Sequence, residues 1–261
     1  MADREKIIRF YKGTEGEDIV IKLIDAAEAV NKTRKFRITD FLDPYSCEIA
    51  ETVAANYEGI SVNFFGGYIG AERQCACFVH EDFMGKASYS MEVIQATWND
   101  KFYRLSHRDV LGALMGLGIK REQIGDLLIT MGSVKIICTN KMADFILNNL
   151  TQIGSANVSC ELSSLDSIAP REERCKEITS TVASLRIDSI AAAGFGSSRS
   201  KMATNIDTDK LKLNWQSVKS ASQAVKEGDI ISIRGRGRLE VAEIRGKTKK
   251  GRTVVLLKRY I

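Results

Sequence analysis

Apolar positions near the start of the chain recur at helical spacing. In EDIVIKLIDAAEAV, Ile19, Leu23, Ala26, Ala27 and Val30 fall on one face, which predicts an amphipathic helix. A second helix is expected to begin at Asp43-Pro44, with Asp as N-cap and Pro at the first helical position, and to run through CEIAETVAANY to Gly59. From Ile60 the period shortens. ISVNFF and QCACFVH read as strands on either side of a glycine-rich connection, GGYIGAER, as in a hairpin with a long turn. SYSMEVIQATW alternates like a strand, and LSHRDVLGALMGLG reads as a helix capped by Ser106 and stopped near Gly116 or Gly118. Strands DLLIT and SVKIICT join through Met131-Gly132. NKMADFILNNL is amphipathic with Asn140 as its expected N-cap, and SANVSCEL closes with a strand.

Beyond a charged segment, APREERCKEIT, the pattern resumes with LRIDSIAAAGF, a helix with Leu185, Ile187, Ile190 and Ala191 inward. Gly196-Ser197-Ser198 predicts a turn, and Ser198 caps a helix through RSKMATNI. KLKLNW alternates, turns at Asn214-Trp215-Gln216 and resumes as a strand around SVKSAS. VKEGDIISIRG places a Gly-Asp turn ahead of a strand, and GKTKKGRTVVLLKRYI adds a basic turn and a final apolar strand.

Together these elements predict an α+β protein with an N-terminal helical segment over residues 1–58 and a middle α/β sandwich over 59–166. A linker over 167–180 and a small C-terminal domain over 181–261 complete it. Two helices on one side of an antiparallel sheet resemble an RNA-recognition-motif (RRM-like) arrangement in the middle domain.

Charge changes the picture. Residues 181–261 hold 17 Lys and Arg against 7 Asp and Glu, whereas residues 1–180 hold 21 against 26. A whole-chain net charge of +5 therefore hides a basic module on a mildly acidic body. Clustered cations release counterions on meeting phosphates, so the C-terminal module points to a polyanionic partner. Within it, Arg199 and Lys201 fall in the first turn of a helix whose free amides also favour phosphate. Lys210 and Lys212 alternate on one strand face, and Arg234, Arg236 and Arg238 in RGRGRL are expected to do the same on another. An alternative for Arg199 is a pairing with Asp188 or Asp207.

At LRIDSIAAAGFGSSRSKMATNI, KLKLNWQSV and VKEGDIISI the resemblance to a known module becomes specific. The R-I-D opening, the S-R-S-K helix start, the N-W-Q hairpin and the G-D-x-I-x-I strand resemble an S4 domain, a small RNA-binding fold. The chain departs from that pattern at Asp209, where the family has Gly, and at Ser220-Ala221-Ser222, where it has Pro-Ser. Along the rest of the chain FLDP, FGGYIGAER and LSHRDVLGALMGLGIKREQIGDLL resemble the YlmH-type S4-domain proteins of bacteria and plastids, in phototrophs also called photosystem II S4 domain proteins. That resemblance implies a non-catalytic factor binding structured rRNA, and tRNA, on the large ribosomal subunit, where it handles stalled subunits carrying peptidyl-tRNA. The family is also linked to cell-division gene clusters and to photosystem II, which leaves an assembly factor as an alternative. The residues expected to contact RNA are Arg186, Ser198, Arg199, Ser200, Lys201, Lys210, Lys212, Arg234, Arg236 and Arg238.

Other chemistries find little support. The apolar runs fall well short of the ~20 residues that span a bilayer, and MADREKIIRF has neither the charge order nor the apolar stretch of a signal peptide. Cys47, Cys75, Cys77, Cys138, Cys160 and Cys175 show no C-x-x-C spacing, and the two histidines are His80 and His107. Buried thiols in a reducing compartment are expected, with no metal and no cofactor. The reading is a cytoplasmic protein with no membrane or small-molecule partner. His107-Arg108-Asp109 copies the start of a kinase catalytic loop, but no Gly-rich phosphate loop or DFG accompanies it. GGYIG lacks the Lys-Ser/Thr of a phosphate loop, and the middle sheet lacks the aromatic pattern of base-stacking RRMs. S4 modules are also fused to RNA-modifying enzymes. Neither a catalytic Asp outside the S4 helix nor a Gly-rich cofactor turn is found here, so the enzyme reading is the alternative.

Overall fold

The computed structural model describes residues 4–168 and 175–260. The chain divides into two compact units, Met1–Arg171 and Glu172–Ile261.

In the first unit, α1 (Arg4–Tyr11) and α2 (Glu17–Thr33) precede β1 (Phe36–Leu42), α3 (Pro44–Ala55), β2 (Ile60–Phe65) and β3 (Gln74–His80). The expected cap is present: the Asp43 carboxylate accepts the Ser46 amide at 2.8 Å, with Pro44 at the start of α3. The N-terminal segment is not only helical. β1 pairs antiparallel with β3, which pairs with β2, so the expected hairpin joins a three-stranded sheet with a strand from within residues 1–58. The boundary expected after residue 58 therefore falls inside a layer whose α2 face buries Val20, Leu23, Ile24 and Ala27. Phe36 and β-branched Ile38 and Thr39 favour this extended segment.

There follow β4 (Met91–Thr97), α4 (His107–Gly116), β5 (Ile124–Thr130), β6 (Ser133–Thr139) and α5 (Asn140–Asn149). The short pair β7 (Gln152–Ile153) and β8 (Ala156–Asn157) leads to β9 (Ser159–Ser163). The sheet order β5-β6-β4-β9 and the βαββαβ succession are those of the RRM-like arrangement. α4 starts as expected: the Asp109 carboxylate accepts the Ser106 amide at 2.8 Å and its hydroxyl at 2.7 Å. Thr139, rather than Asn140, stands at the N-cap of α5. Val110, Leu114, Ala143 and Ile146 pack on Ile94, Ala96, Val134, Ile136 and Cys138, which form one side of the sheet. On the other side Met91, Val93 and Ile137 are buried with Phe41, Tyr68, Ala71, Cys75 and Ile168. The β2–β3 connection is fixed over that side by Asp126, which accepts the Tyr68 hydroxyl at 2.7 Å and the Glu72 and Arg73 amides at 2.7 and 3.1 Å.

The second unit comprises β10 (Cys175–Val182), α6 (Ile187–Phe195), α7 (Arg199–Asp207), β11 (Leu211–Leu213), β12 (Gln216–Ser217), β13 (Ile230–Ile233), β14 (Gly237–Lys247) and β15 (Thr253–Tyr260). Its sheet has the order β10-β15-β14-β13-β11-β12. Three expectations change here. The segment taken for linker ends in β10, which pairs with β15 over eight residues, so this layer begins by Cys175 rather than at 181; residues 169–174 lie outside the described residues. The strand expected around SVKSAS is limited to Gln216–Ser217. Cys175 is exposed, unlike the buried Cys75, Cys77 and Cys138.

Helices α6 and α7 bury Ile187, Ile190, Phe195, Met202 and Ile206 against Leu211, Ile231, Leu239, Val241, Val255 and Leu257. Contact is close at Gly194, where a Cβ would lie 2.2 Å from Leu239 Cδ2. Gly196 then ends α6 in the left-handed region, φ 59°. Asp209 stands at φ 51°, a left-handed conformation that short polar side chains tolerate, so a carboxylate residue fills this turn.

Candidate nucleic-acid interface

Two helix N-termini meet at one buried carboxylate. Arg186 is extended at the N-cap of α6, fixed by a bridge to Ala224 and by the Ile187 amide donating to Gln223 O at 2.9 Å. Two residues on, Asp188 is 5% exposed. Arg199, the first residue of α7, donates to Asp188 Oδ2 from Nε at 3.1 Å and Nη2 at 2.6 Å, and Arg186 Nε donates to Oδ1 at 3.3 Å. Burial pushes the Asp188 carboxyl pKa up, but the hydrogen bonds and charges of Arg199 and Arg186 outweigh it, so the group stands below its ordinary value. The expected alternative for Arg199, a pairing with Asp188, is thus what the structure contains. The pairing also orients the guanidinium, which stays half-exposed at 55%.

Ser198 caps α7: its Oγ accepts the Lys201 amide at 3.3 Å and lies 3.0 Å from Ser200 Oγ. Arg186, Ser198, Arg199, Ser200 and Lys201 are therefore gathered around the first turns of the two helices. Anions favour such a place, because amides without helical acceptors and the positive dipole end add to the side-chain cations.

The strand cations separate into smaller groups. Lys210 and Arg234 adjoin, since the Arg234 amide donates to Lys210 O at 2.9 Å. Lys212 and Arg238 are both registered with Ser232, so they share one row across the sheet, and Arg238 lies 5.4 Å from the Tyr260 ring centroid. The expected alternation of Arg234, Arg236 and Arg238 on one strand is corrected. Residues 234–236 form the β13–β14 turn, closed by the Arg236 amide on Ile233 O at 2.9 Å, with Gly235 at φ 80° and Gly237 at φ 92°. Arg236 turns to α6: its Nη2 donates to Phe195 O at 3.0 Å and its guanidinium stands 5.8 Å from the Phe195 ring. A cation on the last carbonyls of a helix opposes the negative dipole end, so part of what Arg236 does is structural.

Arg259 was not among the expected residues. It stands 5.4 Å from the same Phe195 ring. The alternation TVVLLKRY placed it on a strand but gave no hint of the distant ring it meets. The N-W turn also carries more than its shape. Asn214 and Trp215 sit at φ 47° and 62°, the left-handed pair of a tight hairpin. Asn214 accepts the Ile230 amide at 2.8 Å and donates to the buried Asp229 at 2.9 Å, latching the hairpin to the Gly-Asp turn.

Among the described residues no helix is long and apolar enough to cross a membrane. Three family models match the chain, described as "YlmH, N-terminal" over residues 15–83, "Putative RNA-binding domain in YlmH" over 85–167 and "S4 domain" over 185–231. A Bacillus subtilis protein named ribosome-associated protein quality control protein P2 is 36% identical over 231 residues, which cover 88% of this chain and 90% of that protein. A solved structure described as cell division protein ylmH from Streptococcus pneumoniae superposes with a TM-score of 0.51 at 22% identity, covering 59% of this chain and 95% of the other. The last likeness is one of fold.

Proposed function

The chain belongs to the YlmH family, and from that premise we propose that it is a non-catalytic factor that grips structured rRNA and tRNA on the large ribosomal subunit. In this reading it handles stalled subunits that still carry peptidyl-tRNA. Its S4 domain makes it RNA-binding, and its Bacillus relative is named as a ribosome-associated quality control protein.

The observation that carries the proposal is the double helix terminus organised by Asp188. Arg186 and Arg199 share that carboxylate and flank the α7 N-terminus with Lys201 exposed beside it. Arginine suits a bent RNA backbone, because its planar fork bonds phosphate in a bidentate way and stacks on bases. Lys210, Lys212, Arg234 and Arg238 extend the positive surface along the strands. Binding of this kind reads shape and backbone charge, so it weakens steeply with salt.

The test is sedimentation of a lysate through a sucrose gradient at low and high salt, blotting for the protein. Comigration with free large subunits is expected at low salt, reduced at high salt and in a variant with Arg199, Arg234 and Arg236 changed to Ala. A profile confined to the top of the gradient under every condition overturns the proposal.

A further inference from the structure

The RRM-like sheet does not have the face such domains use for RNA. That side is closed within the chain, with Val93 and Ile137 at 0% exposure beneath Tyr68, Ala71 and Ile168. Lys135, on the same side, donates to Ser167 O at 2.6 Å. RNA that meets this domain therefore needs another surface.

One rim of the sheet provides it. The β4–α4 connection is ordered by hydrogen bonds: Trp98 Nε1 donates to Tyr103 O at 3.1 Å, the Tyr103 amide to Asn99 O at 3.2 Å and the Lys101 amide to Asn99 Oδ1 at 3.1 Å. The Trp98 amide donates to Gly132 O at 2.9 Å, which ties the connection to the β5–β6 turn. Yet this ordered rim leaves Phe102 77% exposed and Met131 87% exposed. Lys101, Arg104 and Arg108 are exposed around it. The nearby acids are Asp109, engaged by Ser106, and Asp100, exposed at the same rim beside Gly132; three cations therefore face one uncommitted carboxylate.

We propose that this rim is a second RNA-contacting surface, in which an unpaired base stacks on Phe102 while Lys101, Arg104 and Arg108 hold the flanking phosphates. The inference rests on the reading of the chain as an RNA-binding factor and adds the place where its middle domain takes part. An aromatic ring among cations matches a strand of phosphates and π faces, whatever its sequence. An ordered loop loses little conformational freedom when it presents such a ring.

The full chain is titrated with rRNA purified from large ribosomal subunits over a salt series. Compared are Phe102→Ala, Phe102→Trp, a triple variant with Lys101, Arg104 and Arg108 changed to Ala, and Arg199→Ala/Lys201→Ala in the second unit. Phe102→Ala is expected to weaken binding about tenfold with an unchanged salt slope, and Phe102→Trp to restore it. The triple variant is expected to lower the slope of log affinity against log salt by roughly 2–3. Ultraviolet crosslinking of the wild type is expected to label the peptide containing Phe102.

Wild-type affinity in both rim variants, beside a loss in Arg199→Ala/Lys201→Ala, overturns this inference and leaves the earlier proposal standing. Wild-type affinity in all variants overturns both. Thermal melts of each variant accompany the titration. Should Phe102→Ala melt early, the triple variant, whose side chains point to solvent, decides the matter by its slope.

Discussion

Asp188→Asn separates two effects that have opposite signs. The substitution keeps the side-chain shape and removes one negative charge from the basic unit. By Coulomb attraction and counterion release alone, it should tighten RNA binding. The geometry predicts the reverse, because Arg186 and Arg199 lose the carboxylate that both of them grip. The stability effect follows from three charge-assisted hydrogen bonds of 2.6, 3.1 and 3.3 Å to a side chain only 7% exposed. Hydrogen bonds to a buried charge contribute about 1.5–3 kcal/mol each, but Arg186 and Arg199 are 40% and 55% exposed and regain much of their hydration. A total loss of about 1–3 kcal/mol is expected, which lowers the melting temperature of a unit this size by roughly 5–15 °C. The Asp188 pKa is depressed in the fold, so its contribution is present above the unfolded value near ~3.9 and fades as pH falls through the folded value. The gap between variant and wild type should accordingly narrow below about pH 4. Filter binding to large-subunit rRNA and circular-dichroism melts read the two effects. Equal or tighter RNA binding by the asparagine variant at every salt concentration would refute the positioning argument.

Gly194→Ala places a Cβ within 2.2–2.8 Å of three Leu239 carbons and should destabilise the second unit by about 1–3 kcal/mol. Adding Leu239→Ala should recover part of that loss in a double-mutant cycle of urea unfolding, whereas independent effects would disprove close packing at this point. Asn214→Ala removes the bonds to Ile230 and Asp229 and puts alanine at φ 47°, a combined loss of about 2–4 kcal/mol; an unchanged urea midpoint would contradict it. Asp126→Ala leaves the Tyr68 hydroxyl and two amides without their acceptor. Limited proteolysis between residues 66 and 73 should then run faster than in the wild type, and equal rates would show that the connection is held by other means.

Elements that carry their own stop and start signals were legible in the sequence. Asp43-Pro44, Ser106 with Asp109, Ser198 and Gly196 mark helix ends through local hydrogen bonds or a left-handed residue, and the structure has each of them. What depends on distant partners was not legible. Phe36–Leu42 could be recognised as part of a sheet only through Gln74–His80, the strand it pairs with. RGRGRL looks like a strand because glycine and arginine alternate, but Gly235 and Gly237 at positive φ turn the chain there. The site divides in the same way. The helix-terminal cluster at 198–201 is written locally, whereas Arg236 and Arg259 converge on Phe195 across the fold.

The position of β15 bears on how the second unit comes into being during synthesis. Residues 253–260 lie between β10 and β14, so the strand that comes last in chain order within this unit occupies an interior place in the sheet. Cys175 must wait for Tyr260, and the intervening helices and hairpins have to assemble before that closure is rewarded. A nascent or truncated chain lacking these eight residues presents two unpaired strand edges and an unsealed apolar layer around Val241. Such a fragment is exposed to aggregation and proteolysis.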